Sequence, residues 1–154
     1  MASWGGHVEV VGLLLDADAD KDVADCYGNS ALMLASHAGH AGVVRVLLDA
    51  GAHKNVRNND GATALIAASS TGHAEVVTIL LHAGVDVDLA DRDDATALMW
   101  ASRVGHDGVV GLLLDVGADT GLADNSGRTA AMLASSAGYV KVVDLLHEAG
   151  NVDG

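Results

Sequence analysis

The sequence predicts an all-α solenoid of stacked helix–turn–helix units joined by short hairpin loops. Three observations predict it. The first is a fixed period: Thr63, Thr96 and Thr129 lie 33 residues apart, and so do Gly51, Gly84, Gly117 and Gly150. The second is the plan inside each period, where two short apolar stretches flank a glycine break, as at Gly39-His40, Gly72-His73, Gly105-His106 and Gly138-Tyr139. The third is side-chain size. Half of the residues are hydrophobic, yet there are only two Trp, two Tyr and no Phe, so the core must be built from Ala, Val and Leu. That supply suits thin layers of short helices. A period of this length marks a repeat array, in which each unit buries its apolar face on its neighbours.

Taken in order, the chain 1–154 divides into a partial unit, 1–24, and four full units, 25–57, 58–90, 91–123 and 124–154. Met1-Ala2-Ser3 falls in register with Leu34-Ala35-Ser36, inside the first helix of a unit, so the chain is expected to begin within a helix. A second helix over Val8 to Asp16 follows, with Val10, Val11, Leu13, Leu14 and Leu15 as its core residues. Asp18 stands where later units have the helix-ending glycine, a left-handed position that Asp adopts less readily. The run Asp16, Asp18, Asp20, Asp22 and Asp25 invites a calcium reading. An EF-hand loop opening at Asp16 would need Gly where Lys21 stands and Glu where Tyr27 stands, so a solvated hairpin is preferred.

In the first full unit Gly28 supplies a turn and Ser30 caps a helix over Ala31 to His37 or Ala38. Gly39 ends it, and Ala41 to Ala50 form the second helix. Thr63, Thr96 and Thr129 are the later caps. Leu32, Ala35, Val43, Val44, Leu47 and Leu48, with their copies at 33-residue steps, are the expected core, and Trp100 joins them. Strand is expected only as short pairings at unit boundaries. Asp94 replaces the turn glycine of the other units, which predicts an altered turn. Gly108 and Gly111 fall inside one short helix, each costing about 1 kcal/mol relative to Ala.

The motif of Gly61-Ala62-Thr63-Ala64-Leu65 followed by Gly72-His73 and Val76-Val77 through Leu80-Leu81 to Gly84, with its copies, resembles the ankyrin repeat. The resemblance covers nearly the whole chain. Two family positions depart: the usual Pro is Ala31, Ala64, Ala97 and Ala130, and the usual His is Met33, Ile66, Met99 and Met132. A Thr–His hydrogen bond typical of the family is therefore missing, which implies less rigid turns. The resemblance also implies a non-enzymatic protein-binding module that meets its partner with its concave face and hairpin tips. Carried over position by position, that surface includes Trp4, Tyr27, His37, Asn59, Arg92, Asp93, Arg103, Val104 and Arg128. Trp4, Tyr27, Arg92, Arg103 and Arg128 are the expected anchors, because aromatic and Arg side chains dominate interface energetics.

Charge and motifs exclude other classes. Eight Lys and Arg against 21 Asp and Glu leave a net charge of −13. Phosphate binding and anionic membrane surfaces both need clustered cations, so neither is expected, and with no apolar run near the ~20 residues of a membrane span, direct membrane insertion is not expected either. A partner with a basic surface is the complementary reading. The recurrent His7, His40, His73 and His106 come once per unit. Packed helices lie about 8–10 Å apart, too far for adjacent units to share a zinc ion held at about 2.0–2.1 Å. They are read as bonding the backbone at the inter-helix turn, and no metal or cofactor is expected. Ser36, Ser69, Ser102 and Ser135 recur in every full unit, which marks packing and not a single catalytic constellation. Cys26 is alone, which favours an intracellular compartment.

The competing reading is a peripheral subunit of a larger assembly, docked through its ends or convex face. Ala19-Asp20-Lys21-Asp22-Val23-Ala24-Asp25 and the A-L-M-x-A-S pattern are similar to ankyrin arrays of unicellular algae, which brings an organellar membrane complex into view. Neither end carries a polar cap. Val10, Val11, Leu14 and Ala2 at the front, and Ala131, Leu133, Val142 and Leu146 at the back, are expected to lack a covering layer. The chain is accordingly expected to belong to a longer polypeptide or a multi-subunit complex.

Overall fold

The computed structural model describes residues 2–150, and these form nine helices. They are α1 (Val8–Asp16), α2 (Ala31–His37), α3 (Ala41–Asp49), α4 (Ala64–Thr71), α5 (Ala74–His82), α6 (Ala97–Val104), α7 (Asp107–Asp115), α8 (Ala130–Ala137) and α9 (Val140–Gly150). Helices α2, α4, α6 and α8 pack in one row, and α1, α3, α5, α7 and α9 in a second behind it. The fold is the expected all-α solenoid. Among the described residues the only β-bridge pairs Ala24 with Ser30.

Each front-row helix starts where the sequence places its cap. The side-chain oxygens of Ser30, Thr63, Thr96 and Thr129 accept from the amides of Met33, Ile66, Met99 and Met132. These bonds satisfy one of the amides left free at a helix start. The break that follows is an interlock. His40 donates from Nε2 to the Trp4 carbonyl at 2.8 Å, and His73 to the His37 carbonyl at 3.1 Å. The bonded turn therefore belongs to the preceding unit. The rings sit against that unit's glycine. A Cβ on Gly6, Gly39 or Gly72 would come within 2.7 Å of the following His ring, and one on Gly105 within 2.5 Å of Tyr139.

The hairpins are tied in the same way. In each, one side-chain oxygen accepts two amides: Asp25 from Tyr27 and Asn29, Asn58 from Asp60 and Ala62, Asp91 from Asp93 and Ala95, Asp124 from Ser126 and Arg128. Successive tips then bond to each other, Asn59 to the Tyr27 carbonyl, Arg92 to that of Asp60 and Asn125 to that of Asp93, at 2.9–3.0 Å. Asp22, from the acidic run, accepts the His53 amide at 2.8 Å, and Asn55 and Asp88 repeat this with Asp86 and Asp119.

Several expectations are corrected. In α1 only Val11 is buried. Val10 and Leu14 are 46% and 49% exposed, Leu13 is exposed, and Leu15 is half-buried. At the other end Val142 and Leu146, the copies of Val10 and Leu14, are 1% and 3% exposed, and Leu133 is also buried. This register therefore faces the preceding unit, which is present for α9 but not, among the described residues, for α1. Residues 2–6 form turns and not a helix. They are too few to close a helical ladder, although His7 still donates to the Ala2 carbonyl as His40 does to Ala35. Met1 lies outside the described residues. Leu48, Leu81 and Leu114 are half-buried at the edge of the back row.

The turn at Asp94 is not altered. Its φ is 57°, and its amide donates to the Asp91 carbonyl as those of Gly28, Gly61 and Gly127 do in their hairpins. Asp18 also holds φ 57°, and the helix-ending bonds are kept, from the Asp18 amide to the Leu15 carbonyl and from the Ala19 amide to that of Leu14. Asp is among the few residues whose short polar side chain tolerates this region. Ser36, Ser69 and Ser102 are wholly buried with no hydrogen-bond partner, so small size is what the packing asks of them.

Two stability outcomes follow. Leu80 is fully buried in α5, and Leu80→Ala should lower unfolding free energy by about 2–5 kcal/mol in urea titration. A Cβ at Gly108 or Gly111 would meet nothing within 4 Å. Gly108→Ala and Gly111→Ala should each stabilise the chain by up to about 1 kcal/mol in the same assay.

Candidate interaction groove

The units share one backbone, so the relief of the concave face is set by side-chain size at two registers of the front-row helices. One register carries Leu34, Ala67, Trp100 and Leu133. The other carries Trp4, His37, Ser70, Arg103 and Ser136. Between α2 and α6, Trp4, Leu34, His37, Ala67, Ser70 and Trp100 line, with the hairpins, a groove of about 660 Å³. Met33, Ile66 and Ala67 contribute its apolar lining, and Asp60, Arg92 and Asp93 line it from the hairpin side.

Both walls are held in place. On one side the Trp4 and His37 rings stack, 5.5 Å between centroids and 16° from parallel. On the other Trp100 donates from Nε1 to Asp91 Oδ2 at 2.8 Å, and the Arg103 guanidinium sits 4.6 Å from its ring centroid. That arrangement is a cation–π contact. Trp100 is thus a half-buried wall residue and not part of the core, because its indole N–H needs a partner and finds it in the buried carboxylate of Asp91.

The nine residues expected to meet a partner divide by location. Trp4, His37, Arg92 and Asp93 line the groove. Arg103 lies beside it, over Trp100. Arg128 is engaged within its own hairpin, with Nη2 2.8 Å and Nε 2.9 Å from Asp124 Oδ2. Asn59 donates its side-chain N–H to the Cys26 carbonyl at 3.2 Å and so ties two hairpins together. Tyr27 is 68% exposed on a tip outside the groove, and Val104 is exposed at the end of α6. Met33, Ile66 and Asp91 were not anticipated as lining residues. The size change from Leu34 to Ala67 to Trp100 was the available signal for the cleft.

The electrostatics are acidic. Asp60 and Asp93 have no ion-pair partner among the described residues, and only Arg92 offsets them at the rim. The Asp124 carboxyl is held below the usual aspartate value by the Arg128 side-chain hydrogen bond, then by the Arg128 amide, with the Ser126 amide adding to them. Among the described residues, no three His, Cys, Asp or Glu side chains converge as a metal site would require, and no helix is long and apolar enough to cross a membrane.

Two rows of short helices, interlocked unit by unit, define a helical repeat protein. The family model described as ankyrin repeats (3 copies) matches residues 1–91 and 84–153, and the chain belongs to the ankyrin-repeat family. Ankyrin repeats generally mediate protein–protein interaction and typically serve as non-enzymatic modules. No curated protein matches the chain.

The Arg128–Asp124 pair has a pH signature. A carboxylate whose folded pKa is depressed stabilises the fold above its unfolded value and loses that contribution as pH falls through the folded one. Stability should therefore drop on acidification through 3.8, the ordinary aspartate value, and below it. Asp124→Asn keeps an oxygen for the two amides, as Asn58 does, but loses the ion pair. Its melting temperature should lie below that of the unaltered chain at neutral pH and converge with it in acid. Parallel melting curves across the pH range would show that the pair contributes nothing.

Proposed function

We propose that this protein binds a protein partner through its concave groove and hairpin tips, and that the partner presents a basic surface. The observation that carries the reading is the groove itself. It joins an apolar lining, two aromatic walls that each have a partner, and carboxylates without an ion pair among the described residues. Aromatic groups held in advance lose little freedom on binding. The acidic rim and the net charge of −13 favour cationic approach and suppress acidic competitors. The competing reading, docking through an end as a subunit of a larger assembly, draws on the exposed Val10, Leu13 and Leu14 of α1.

The test needs a purified partner, captured on the chain, identified and then remade. Arg103→Ala should weaken its binding by about 1 kcal/mol or more in calorimetry, since it removes the cation over Trp100 and a candidate anchor. Thr78→Arg on α5, where the hydroxyl bonds its own helix at Ala74, should leave affinity unchanged. The opposite pattern would favour docking through another face.

A further inference from the structure

The groove is not a uniform trough. At the Leu34 register α4 carries Ala67, with Leu34 before it and Trp100 after it. At the neighbouring register α4 carries Ser70, with His37 before it and Arg103 after it. Both positions of one helix are small where both neighbours are large. Ser70 and Thr71 moreover turn their hydroxyls back onto the Ala67 carbonyl, at 3.0 Å and 2.9 Å. Neither hydroxyl is directed at a partner. Because the repeating backbone keeps α2, α4 and α6 side by side, the missing side-chain volume becomes a notch over Ala67. Each of its walls has a partner outside it. Trp100 is held by Asp91, and Trp4 is stacked on His37.

From this we propose that the groove selects a peptide segment with one bulky apolar side chain, inserted over Ala67 and flanked by Lys or Arg. The notch takes the apolar group, which removes its surface and that of the half-buried Leu34, Ala67 and Trp100 from water. The flanking cations meet Asp60 and Asp93, whose carboxylates are free of ion pairs among the described residues. Single aromatic or aliphatic anchors in a pocket, ringed by polar contacts, are how compact interfaces concentrate their energy. The proposal rests on the concave face being the binding face, and it adds the side-chain chemistry that this face reads. Ala67 and Ser70 become the specificity-determining positions, although they are the least conspicuous residues in the groove.

The experiment is a selection of random displayed peptides on the full chain, followed by affinity measurements on a synthetic copy of the strongest binder. The enriched peptides should share one Leu, Met, Phe, Tyr or Trp with Lys or Arg beside it. Ala67→Trp fills the notch from a half-exposed position and should weaken the peptide by about tenfold or more. Circular dichroism and melting temperature should be unchanged. Ser70→Arg closes the notch from its other side and serves if Ala67→Trp folds poorly. Asp60→Lys combined with Asp93→Lys should reverse the charge preference of the selection. Enriched peptides without this pattern, or no enrichment, overturn the inference. A peptide sensitive to Arg103→Ala but indifferent to both Ala67→Trp and Ser70→Arg also overturns it, while leaving concave binding in place. A peptide weakened only by Thr78→Arg removes the concave reading and this inference together.

Discussion

The spacing between units depends on a ring seated on a glycine. His40, His73, His106 and Tyr139 each occupy the space where a Cβ of the preceding unit's inter-helix residue would be. These glycines have positive φ, so at Gly39, Gly72 and Gly105 the same residue both closes a front-row helix and opens the seat for the next ring. His40 and His73 add a bond to the carbonyl just before the seat. Rise and rotation from unit to unit are thereby set by a contact that repeats with the sequence, and the hairpin ladder fixes the same step at the tips. Such nearest-neighbour coupling makes stability a sum over units and their interfaces.

A scaffold so regular leaves side-chain size as the variable that shapes its surface. Leu34, Ala67 and Trp100 occupy one register, and their unequal volumes turn a flat helical face into a groove. The polar network supports the walls. Asp91 shows the economy of the arrangement: one oxygen folds the hairpin and the other holds the indole of Trp100. Folding and site preparation share a residue, which is why a hairpin aspartate shapes a surface formed by helices.

The charge distribution separates structural from available carboxylates. Asp22, Asp25, Asp91 and Asp124 accept backbone amides and are committed to the fold. Asp60 and Asp93 accept none with their side chains, although their carbonyls serve the ladder. The excess negative charge of the chain therefore has two origins. Some of it stands in for backbone acceptors at turns, and some of it lies free along the groove.

The sequence by itself determined the architecture. A 33-residue period with a cap, a glycine break and a glycine stop leaves few alternatives, because propensity, periodicity and turn chemistry all agree. It determined most buried positions of the middle units for the same reason, with Leu48, Leu81 and Leu114 the exceptions. It did not determine which way each apolar position faces. Val10 and Val142 are equivalent in sequence, yet one is exposed and the other buried, since burial depends on whether a neighbouring unit lies on that side. Nor did it separate partner-facing residues from structural ones. Asn59 and Arg128 looked like surface contacts and are engaged within the hairpins, whereas Trp100 looked like core and forms a wall. Only the tertiary structure decided these, because Asn59 finds its acceptor in the preceding unit while Trp100 and Arg128 find theirs in the hairpins of their own units, and a one-dimensional pattern carries no record of which side chain finds which acceptor.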